Sequence, residues 1–194
     1  MSSPIYNWEH ADISKPLPKR AVLGGCTTTG EEIYVGRAMS NGFLVPAKIV
    51  PSKSYCFVSH NGKEFSVETF EYLVGKERYF EWRPAANGNI VNGAIATGSL
   101  GTEQLYIGRA CYNGSMEIGK IHPSQKCLFI SHEGKEVQMT SYEVLVWTKI
   151  EKESKKYEQK KAKAEAKKKK MCKKKSLSSS YSDSDSDWSD CSIS

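Results

Sequence analysis

The stretch "EIYVGRAMSNGFLVPAKIVPS" occupies residues 32–52, and "QLYIGRACYNGSMEIGKIHPS" occupies residues 104–124. The two stretches lie 72 residues apart, and at this offset the wider segments 34–74 and 106–146 agree at 19 of 41 positions. Agreement of this extent indicates an internal duplication, and a duplication determines how every other pattern in the chain is interpreted.

Each repeat has the pattern of short antiparallel strands. Segments such as "EEIYVGRA" alternate apolar and polar residues, and the motifs "NGKE" and "EGKE" place Gly62 and Gly134 where a tight hairpin requires a positive φ. No capped helical period precedes the lysine-rich C-terminal segment. The sequence therefore predicts an all-β fold of two tandem antiparallel β-repeats, at 5–75 and 78–148. We expect them to pack with pseudo-twofold symmetry because each alone is too small for a good core.

Charge divides the chain into two parts. Residues 1–149 hold 15 Lys+Arg against 14 Asp+Glu, whereas residues 150–194 hold 13 lysines against 8 acids. The segment 150–175 is rich in helix-forming residues and lacks an apolar stripe, which predicts a solvated helix or a helix–coil mixture. The Ser/Asp-rich segment 176–194 has the composition of a disordered tail. A polybasic segment of this kind either binds RNA or an anionic membrane, or only keeps the chain soluble.

The N-terminus and the cysteines indicate a cytoplasmic protein. "MSSPIYNWEH" has neither the basic nor the apolar region of a secretory signal peptide, and no apolar run is long enough to predict a transmembrane segment. The six cysteines show no metal-ligand spacing. We expect reduced thiols, with Cys56 and Cys127 in the core. The basic tail would also allow association with vesicles or the nucleus.

Two arginines occupy equivalent places in the repeats. Arg37 and Arg109 stand inside alternating apolar strands. We interpret each as a side chain packed along the sheet, with its guanidinium paired to a carboxylate such as Glu71 or Glu143.

Lysines and histidines also recur. Lys48 and Lys120 each follow a small residue, which would let a ligand approach, so each is either a ligand donor or an exposed lysine on a strand. His60 and His132 end a strand one residue before a turn, which is typical of a turn or edge residue rather than a catalyst. Nucleophile elbows and phosphate-binding loops are absent from the sequence. The sequence predicts a non-catalytic binding protein without cofactor or metal.

The order of short motifs resembles the DM-nine (Drosophila melanogaster nine) repeat of natterin-like and invertebrate pattern-recognition proteins. A tryptophan is followed by "AVLGG" or "AIATG", then "YVGRA" or "YIGRA", "NG", "AKI" or "GKI", "NGKE" or "EGKE", and "FEYLV" or "YEVLV". The resemblance covers nearly all of residues 5–148. It implies an all-β tandem repeat and, in the family's best understood members, mannose-type sugar binding without catalysis or calcium.

The resemblance also implies which residues bind the sugar. The family uses the lysine of its "GK" element together with an aspartate from the loop that follows the "AVLGG" motif; by match the lysines are Lys48 and Lys120. The corresponding loops here, "GGCTTTGEE" and "TGSLGTEQ", contain no aspartate. The residues that could take its place are Thr28, Thr29, Glu31 and Glu32 in the first loop and Ser99 and Glu103 in the second. The expected acceptors are the glutamates, because a carboxylate can accept two hydrogen bonds from vicinal hydroxyls while an ammonium donates to other sugar oxygens.

Two functions remain open at this point. The first is a lectin-like recognition protein that binds mannose-type glycans in an innate immune or pathogen response. The alternative is a cytoplasmic interaction or trafficking adaptor that has lost the sugar site and is tethered through its basic tail to an anionic membrane or RNA. A homodimer is also among the expected assemblies.

Overall fold

The structure, a computed structural model, describes residues 6–178 and confirms the all-β fold. Residues up to Lys149 form one compact unit, called the β-unit below. Short 3-10 turns at Pro51–Lys53 and Glu77–Tyr79 interrupt its strands. The strands in chain order are β1 (Asn7–Asp12), β2 (Leu23–Cys26), β3 (Glu32–Ser40), β4 (Phe43–Val50), β5 (Tyr55–His60), β6 (Lys63–Val67), β7 (Thr69–Val74), β8 (Phe80–Ala86), β9 (Ala96–Leu100), β10 (Glu103–Tyr112), β11 (Ser115–His122), β12 (Cys127–His132), β13 (Lys135–Met139) and β14 (Ser141–Trp147).

The strand order shows the duplication directly. The described strands form one antiparallel sheet in the order β1-β7-β3-β4-β5-β6-β13-β12-β11-β10-β14-β8, with β2 beside β3 and β9 beside β10. The second half of this order repeats the first in reverse, so a pseudo-twofold axis passes between β6 and β13. The two repeats join there through the pairing of Lys63 with Lys135.

Hairpin turns formed where the sequence predicted them. Asn41 and Gly42 have φ values of 49° and 81°, and Gly62 and Gly134 have φ values of 78° and 81°. Asparagine and glycine tolerate this left-handed region better than other residues, so these pairs set the register of the strands that they connect.

One of the core clusters belongs to both repeats. Ile33 and Leu73 from the first repeat pack in one cluster with Ile107 and Leu145 from the second, and all four are fully buried. Burying a side chain of this size stabilises a fold by about 1.5–3 kcal/mol. A separated repeat would expose its half of this cluster.

Two glycines bring the repeats into close contact. A Cβ atom on Gly25 of β2 would overlap the carbonyl oxygen of Met116 on β11, and a Cβ atom on Gly98 of β9 would overlap that of Leu44 on β4. Met116 and Leu44 are equivalent at the offset of 72. The close contact between β2 and β11 is therefore repeated, in the equivalent place, between β9 and β4.

The second unit is a helix, α1 (Lys149–Ser178), which begins where the lysine-rich segment begins. It includes the first residues of the segment 176–194 that was predicted to be disordered, and the rest of that segment lies outside the described residues. Within the part of the chain that the structure describes, no helix combines the length and the apolar character required to cross a membrane.

Candidate functional site

An arginine in each repeat reaches across to the other repeat. Arg109 lies over the ring of Trp82 at 4.3 Å, its Nε donates to Glu143 at 2.7 Å, and its Nη1 donates to the carbonyl oxygen of Gly24 at 3.0 Å. The predicted pairing with a carboxylate is confirmed. The same arrangement occurs in the first repeat between Arg37, Glu71, Thr97 and Trp8.

The two candidate lysines cross the pseudo-twofold axis. Lys48 on β4 donates from Nζ to the carbonyl oxygen of Ser131 at 2.7 Å, and Lys120 on β11 donates to the carbonyl oxygen of Ser59. Lys48 is 7% exposed and Lys120 is 6% exposed. The alternative of an exposed lysine on a strand is wrong, because both ammonium groups hold the two repeats together.

Carboxylates neutralise these buried ammonium groups. Lys48 Nζ lies 3.2 Å from Glu64 Oε1 and 3.1 Å from Glu117 Oε2, and Lys120 Nζ lies 2.7 Å from Glu136 Oε1. All three carboxylate side chains are less than a tenth exposed. A charge buried to this extent requires a partner of opposite charge. The six buried or half-buried side chains are called the lysine network below: Lys48, Lys120, Glu64, Glu117, Glu136 and His132.

Reciprocal hydrogen bonds fix two of the three network carboxylates at the hairpin turns. Glu136 Oε2 accepts from the backbone N–H of Gly62, and Glu64 Oε2 accepts from that of Gly134, both at 2.8 Å. Burial alone would raise the pKa of Glu136, but the hydrogen bonds from Lys120 and Gly62 outweigh it and hold that pKa below its ordinary value. The carboxylate of Glu136 is therefore ionised beside Lys120.

The lysine network is not fully symmetric. Glu117 has Val45 at the equivalent place in the first repeat. Glu117 Oε1 lies 2.9 Å from His132 Nδ1, and the His132 ring packs edge-on against Tyr112. Both His132 and its equivalent His60 end a strand before a turn, as predicted.

Glu103 lies on the same side of the sheet as Lys120. A carboxylate oxygen of Glu103 lies 2.9 Å from His122 Nδ1, within hydrogen-bond distance. The His122 ring lies 5.8 Å from the ring of Phe129. The Lys120 Nζ is 5.5 Å from the centre of the Phe129 ring. Burial alone would raise the pKa of Glu103, but the hydrogen bonds from Ser124 and the nearby His122 outweigh it and hold that pKa below its ordinary value. The structure thus groups Glu103 with Lys120 through His122 and Phe129.

Glu31 occupies the equivalent place in the first repeat. Its carboxylate accepts from the hydroxyl of Ser52 at 3.0 Å and pairs with Lys53 Nζ at 2.8 Å. The hydrogen bond from Lys53 holds the pKa of Glu31 below its ordinary value. Lys48 lies near the end of the same strand that leads to Ser52, with its Nζ 5.2 Å from the Phe57 ring.

Glu32 is separated from this group. Its Oε2 accepts from the hydroxyl of Tyr34 at 2.6 Å, and both residues line a cavity that also contains Arg109 and Trp82. Burial, together with the hydrogen bond to Glu32, raises the pKa of Tyr34 to about 12, so Tyr34 remains a donor at neutral pH. Of the predicted sugar ligands, Glu103 is linked to Lys120 through His122 and Phe129. Glu31 instead bonds to Ser52 and Lys53, and Glu32 belongs to a different site.

Three members of the lysine network, Glu64, Glu117 and Glu136, were not predicted from the sequence. Glu64 and Glu136 stand in the repeated motif "GKE", and their identical spacing after each hairpin glycine was the signal that could have identified them. Glu117 has no equivalent in the first repeat, so the duplication gave no signal for it. Among the described residues no group of His, Cys, Asp and Glu is arranged to hold a metal ion.

Comparison with known proteins now identifies the family. A family model described as the DM9 repeat matches residues 27–139. The chain belongs to the DM9 repeat family. This confirms the resemblance to the DM-nine repeat and shows that the β-unit is, in general terms, a lectin-like recognition module of the DM9 type.

Two further proteins are similar to this DM9 chain. Natterin-2 from Thalassophryne nattereri is 28% identical over 99 residues, which cover 50% of this chain and 25% of natterin-2. The crystal structure of the nematode sperm cell motility protein MFP2B matches with a TM-score of 0.57 at 13% identity, over 75% of this chain and 47% of MFP2B. This second likeness concerns the fold alone. The chain spans about a quarter of natterin-2 and about half of MFP2B.

Proposed function

We propose that the β-unit is a non-catalytic lectin that binds mannose-type glycans beside Lys48 and Lys120, and that it recognises glycan-bearing surfaces in an innate immune or pathogen response. The observation that supports this proposal is the repeated combination of a lysine, a carboxylate and an aromatic ring. Each lysine lies beside a carboxylate, Glu64 or Glu136, and above a phenylalanine ring. These are the donor, the acceptor and the apolar surface that a pyranose ring requires.

Burial sets a condition on this binding. Both ammonium groups are occupied by carboxylates and carbonyl oxygens, so a sugar hydroxyl must replace one of these partners. Exchanging one hydrogen bond for another gives little net free energy. We therefore expect weak binding of a single mannose unit and stronger binding of an oligosaccharide that occupies both repeats.

Isothermal titration calorimetry with methyl α-mannoside and a mannose-rich oligosaccharide tests the proposal. We expect saturable heat with a dissociation constant near the millimolar range for the monosaccharide. The double variant Glu31→Gln, Glu103→Gln should weaken this binding about tenfold, because each substitution removes a charged acceptor that the family resemblance assigns to the sugar. Glu68→Gln removes an exposed carboxylate between β6 and β7 and is the matched control. Absence of heat at millimolar oligosaccharide, or an equal loss in the Glu68→Gln control, would contradict the proposal.

A second function is favoured by the helix. We propose that α1 also tethers the protein to an anionic membrane surface. At 3.6 residues per turn, Lys152, Lys155, Lys156, Lys160, Lys163 and Lys167 fall within an arc of about 140°, whereas Lys161 lies on the other side of the helix. All of these side chains are exposed. A lysine at an anionic surface contributes about 1 kcal/mol to binding.

Neighbouring lysines on opposite sides of the helix provide a matched test. We expect Lys160→Gln to weaken partitioning of the full chain onto phosphatidylserine vesicles about fivefold and Lys161→Gln to weaken it less, since only Lys160 belongs to the one-sided group. Vesicle co-sedimentation at physiological salt measures both variants. Equal effects of the two substitutions would rule out a one-sided membrane contact, and binding to single-stranded RNA but not to vesicles would replace the membrane with RNA as partner.

A further inference from the structure

A cavity of about 860 Å³ lies where β2 and the start of β3 from the first repeat meet β8, β10 and β11 from the second. Its volume is within the range of small-molecule sites, roughly 300–1,000 Å³. The lysine network does not line it. None of the roles proposed above uses this cavity.

The wall of the cavity combines aromatic rings with fixed polar groups. Tyr34, Phe80 and Trp82 supply the rings. Glu32 supplies an exposed carboxylate that already accepts one bond from Tyr34 at 2.6 Å, and Arg109 is held over Trp82 at 4.3 Å. Aromatic walls accept the C–H face of a sugar ring, while a carboxylate and a guanidinium accept from and donate to its hydroxyls.

The pseudo-twofold axis supplies an internal comparison. The equivalent Arg37–Trp8 pair faces a smaller and more open hollow of about 650 Å³, which Tyr6, Asn7, Glu9 and Val74 also line. At the offset of 72, Glu32 of the larger cavity is equivalent to Gln104. Gly75, which also lines the larger cavity, is equivalent to Trp147. The arginine–tryptophan pair is thus present twice, whereas Glu32 and the space that Gly75 leaves have no counterpart at the equivalent positions of the other repeat.

We propose that this cavity is a carbohydrate subsite, separate from the lysine network, that takes one hexose ring of a glycan. The ring lies against the aromatic wall of Trp82 and Phe80, Glu32 accepts hydrogen bonds from its hydroxyls, and Arg109 donates to its oxygens. The choice of ligand rests on the glycan binding proposed above. The position of the subsite rests on the cavity and on its asymmetry.

Tryptophan fluorescence separates this subsite from the lysine network, because Trp82 lines the cavity. The full chain is titrated with methyl α-mannoside and mannotriose. We expect a saturable fluorescence change whose amplitude falls in Trp82→Phe, and a dissociation constant raised about tenfold in Glu32→Gln. The matched controls are Trp8→Phe and the double variant Glu31→Gln, Glu103→Gln, which should retain the change.

Each outcome distinguishes the two sites. Calorimetric heat without a fluorescence change, or a change that persists unaltered in Glu32→Gln and Trp82→Phe, overturns the cavity subsite and leaves the lysine network as the glycan site. A change that is lost in Glu32→Gln and retained in Glu31→Gln, Glu103→Gln supports the subsite even when the network binds nothing. No signal by either method overturns both proposals. Glu32→Gln alters an exposed side chain and is expected to keep the fold. It therefore tests the subsite even if Trp82→Phe fails to fold.

Discussion

Lys48→Ala is expected to lower the free energy of unfolding by about 3–5 kcal/mol, the range measured when one partner of a buried ion pair is removed. The substitution leaves Glu64 and Glu117 facing each other without a cation and leaves the Ser131 carbonyl oxygen without its donor. Buried carboxylates in this state must either take up protons or draw in water, and both reduce stability. Urea unfolding followed by tryptophan fluorescence measures the loss.

The control for Lys48→Ala is Lys53→Ala in the same repeat. Lys53 pairs with Glu31 at 2.8 Å, but its side chain is 49% exposed. Its removal is expected to cost less than about 1 kcal/mol, as for other exposed pairs. A double variant, Lys48→Met with Glu117→Gln, should lose less stability than the two single variants lose when their losses are added. The reason is that a buried charge is most costly when its partner of opposite charge has been removed. Equal losses for Lys48→Ala and Lys53→Ala would show that the lysine network does not join the repeats.

The network also governs how glycan-binding variants are interpreted. Alanine substitution of Lys48 or Lys120 removes a repeat-to-repeat contact as well as a candidate sugar donor. Loss of binding in such a variant would not separate the two roles. The half-buried acceptors Glu31 and Glu103 give the cleaner test, because their bonds to Ser52 and Ser124 lie outside the repeat-to-repeat contacts described for the lysines.

Gly25→Ala is expected to destabilise the β-unit by about 3 kcal/mol, at the upper end of the usual cost of overpacking. The added methyl group overlaps the carbonyl oxygen of Met116, a backbone atom of β11 that cannot rotate away. β2 must therefore move away from the second repeat and give up apolar contact across the shared core. Thermal and urea unfolding of the full chain measure the change.

The second repeat and an open turn give the comparisons for Gly25→Ala. Gly98→Ala should show a loss of similar size, because its Cβ atom would overlap the carbonyl oxygen of Leu44 in the equivalent contact. Gly30→Ala adds the same methyl group in open space at a φ of 84°, so it is subject only to backbone strain of about 1–2 kcal/mol. A loss for Gly25→Ala no larger than that for Gly30→Ala would contradict the close approach of the repeats.

Local patterns were sufficient to predict the strands, the turns and one class of polar contact. The asparagine–glycine pairs occupy left-handed turns because few other residues tolerate that backbone. Arg37 and Glu71 pair because their strands are neighbours within one repeat, with the two residues directly opposite in the register. Cys56 and Cys127 are fully buried, as their apolar surroundings indicated.

These local patterns did not predict the contacts between the two repeats. The sequence shows that Lys48 and Lys120 are equivalent, but the bonds from each lysine to the opposite repeat depend on how the two halves of the single sheet meet. The adjacent residues Glu31 and Glu32 looked interchangeable as acceptors. The alternation of a strand sends one toward Ser52 and the other toward Tyr34, so they enter different sites.

The duplication, the all-β repeats, the DM9 family and the charged helix that follows them can be recognised in the sequence alone. These properties depend on periodicity, turn chemistry and composition, which are local in the chain. The three-dimensional packing was needed to show that the candidate lysines are buried and that Glu64, Glu117 and Glu136 neutralise them. It also shows that one of the two equivalent arginine–tryptophan pairs opens onto a large cavity. The reason is physical: each lysine bonds to a carbonyl oxygen 83 or 61 positions away, and Lys48 also pairs with the distant Glu117, at separations where sequence spacing no longer determines distance.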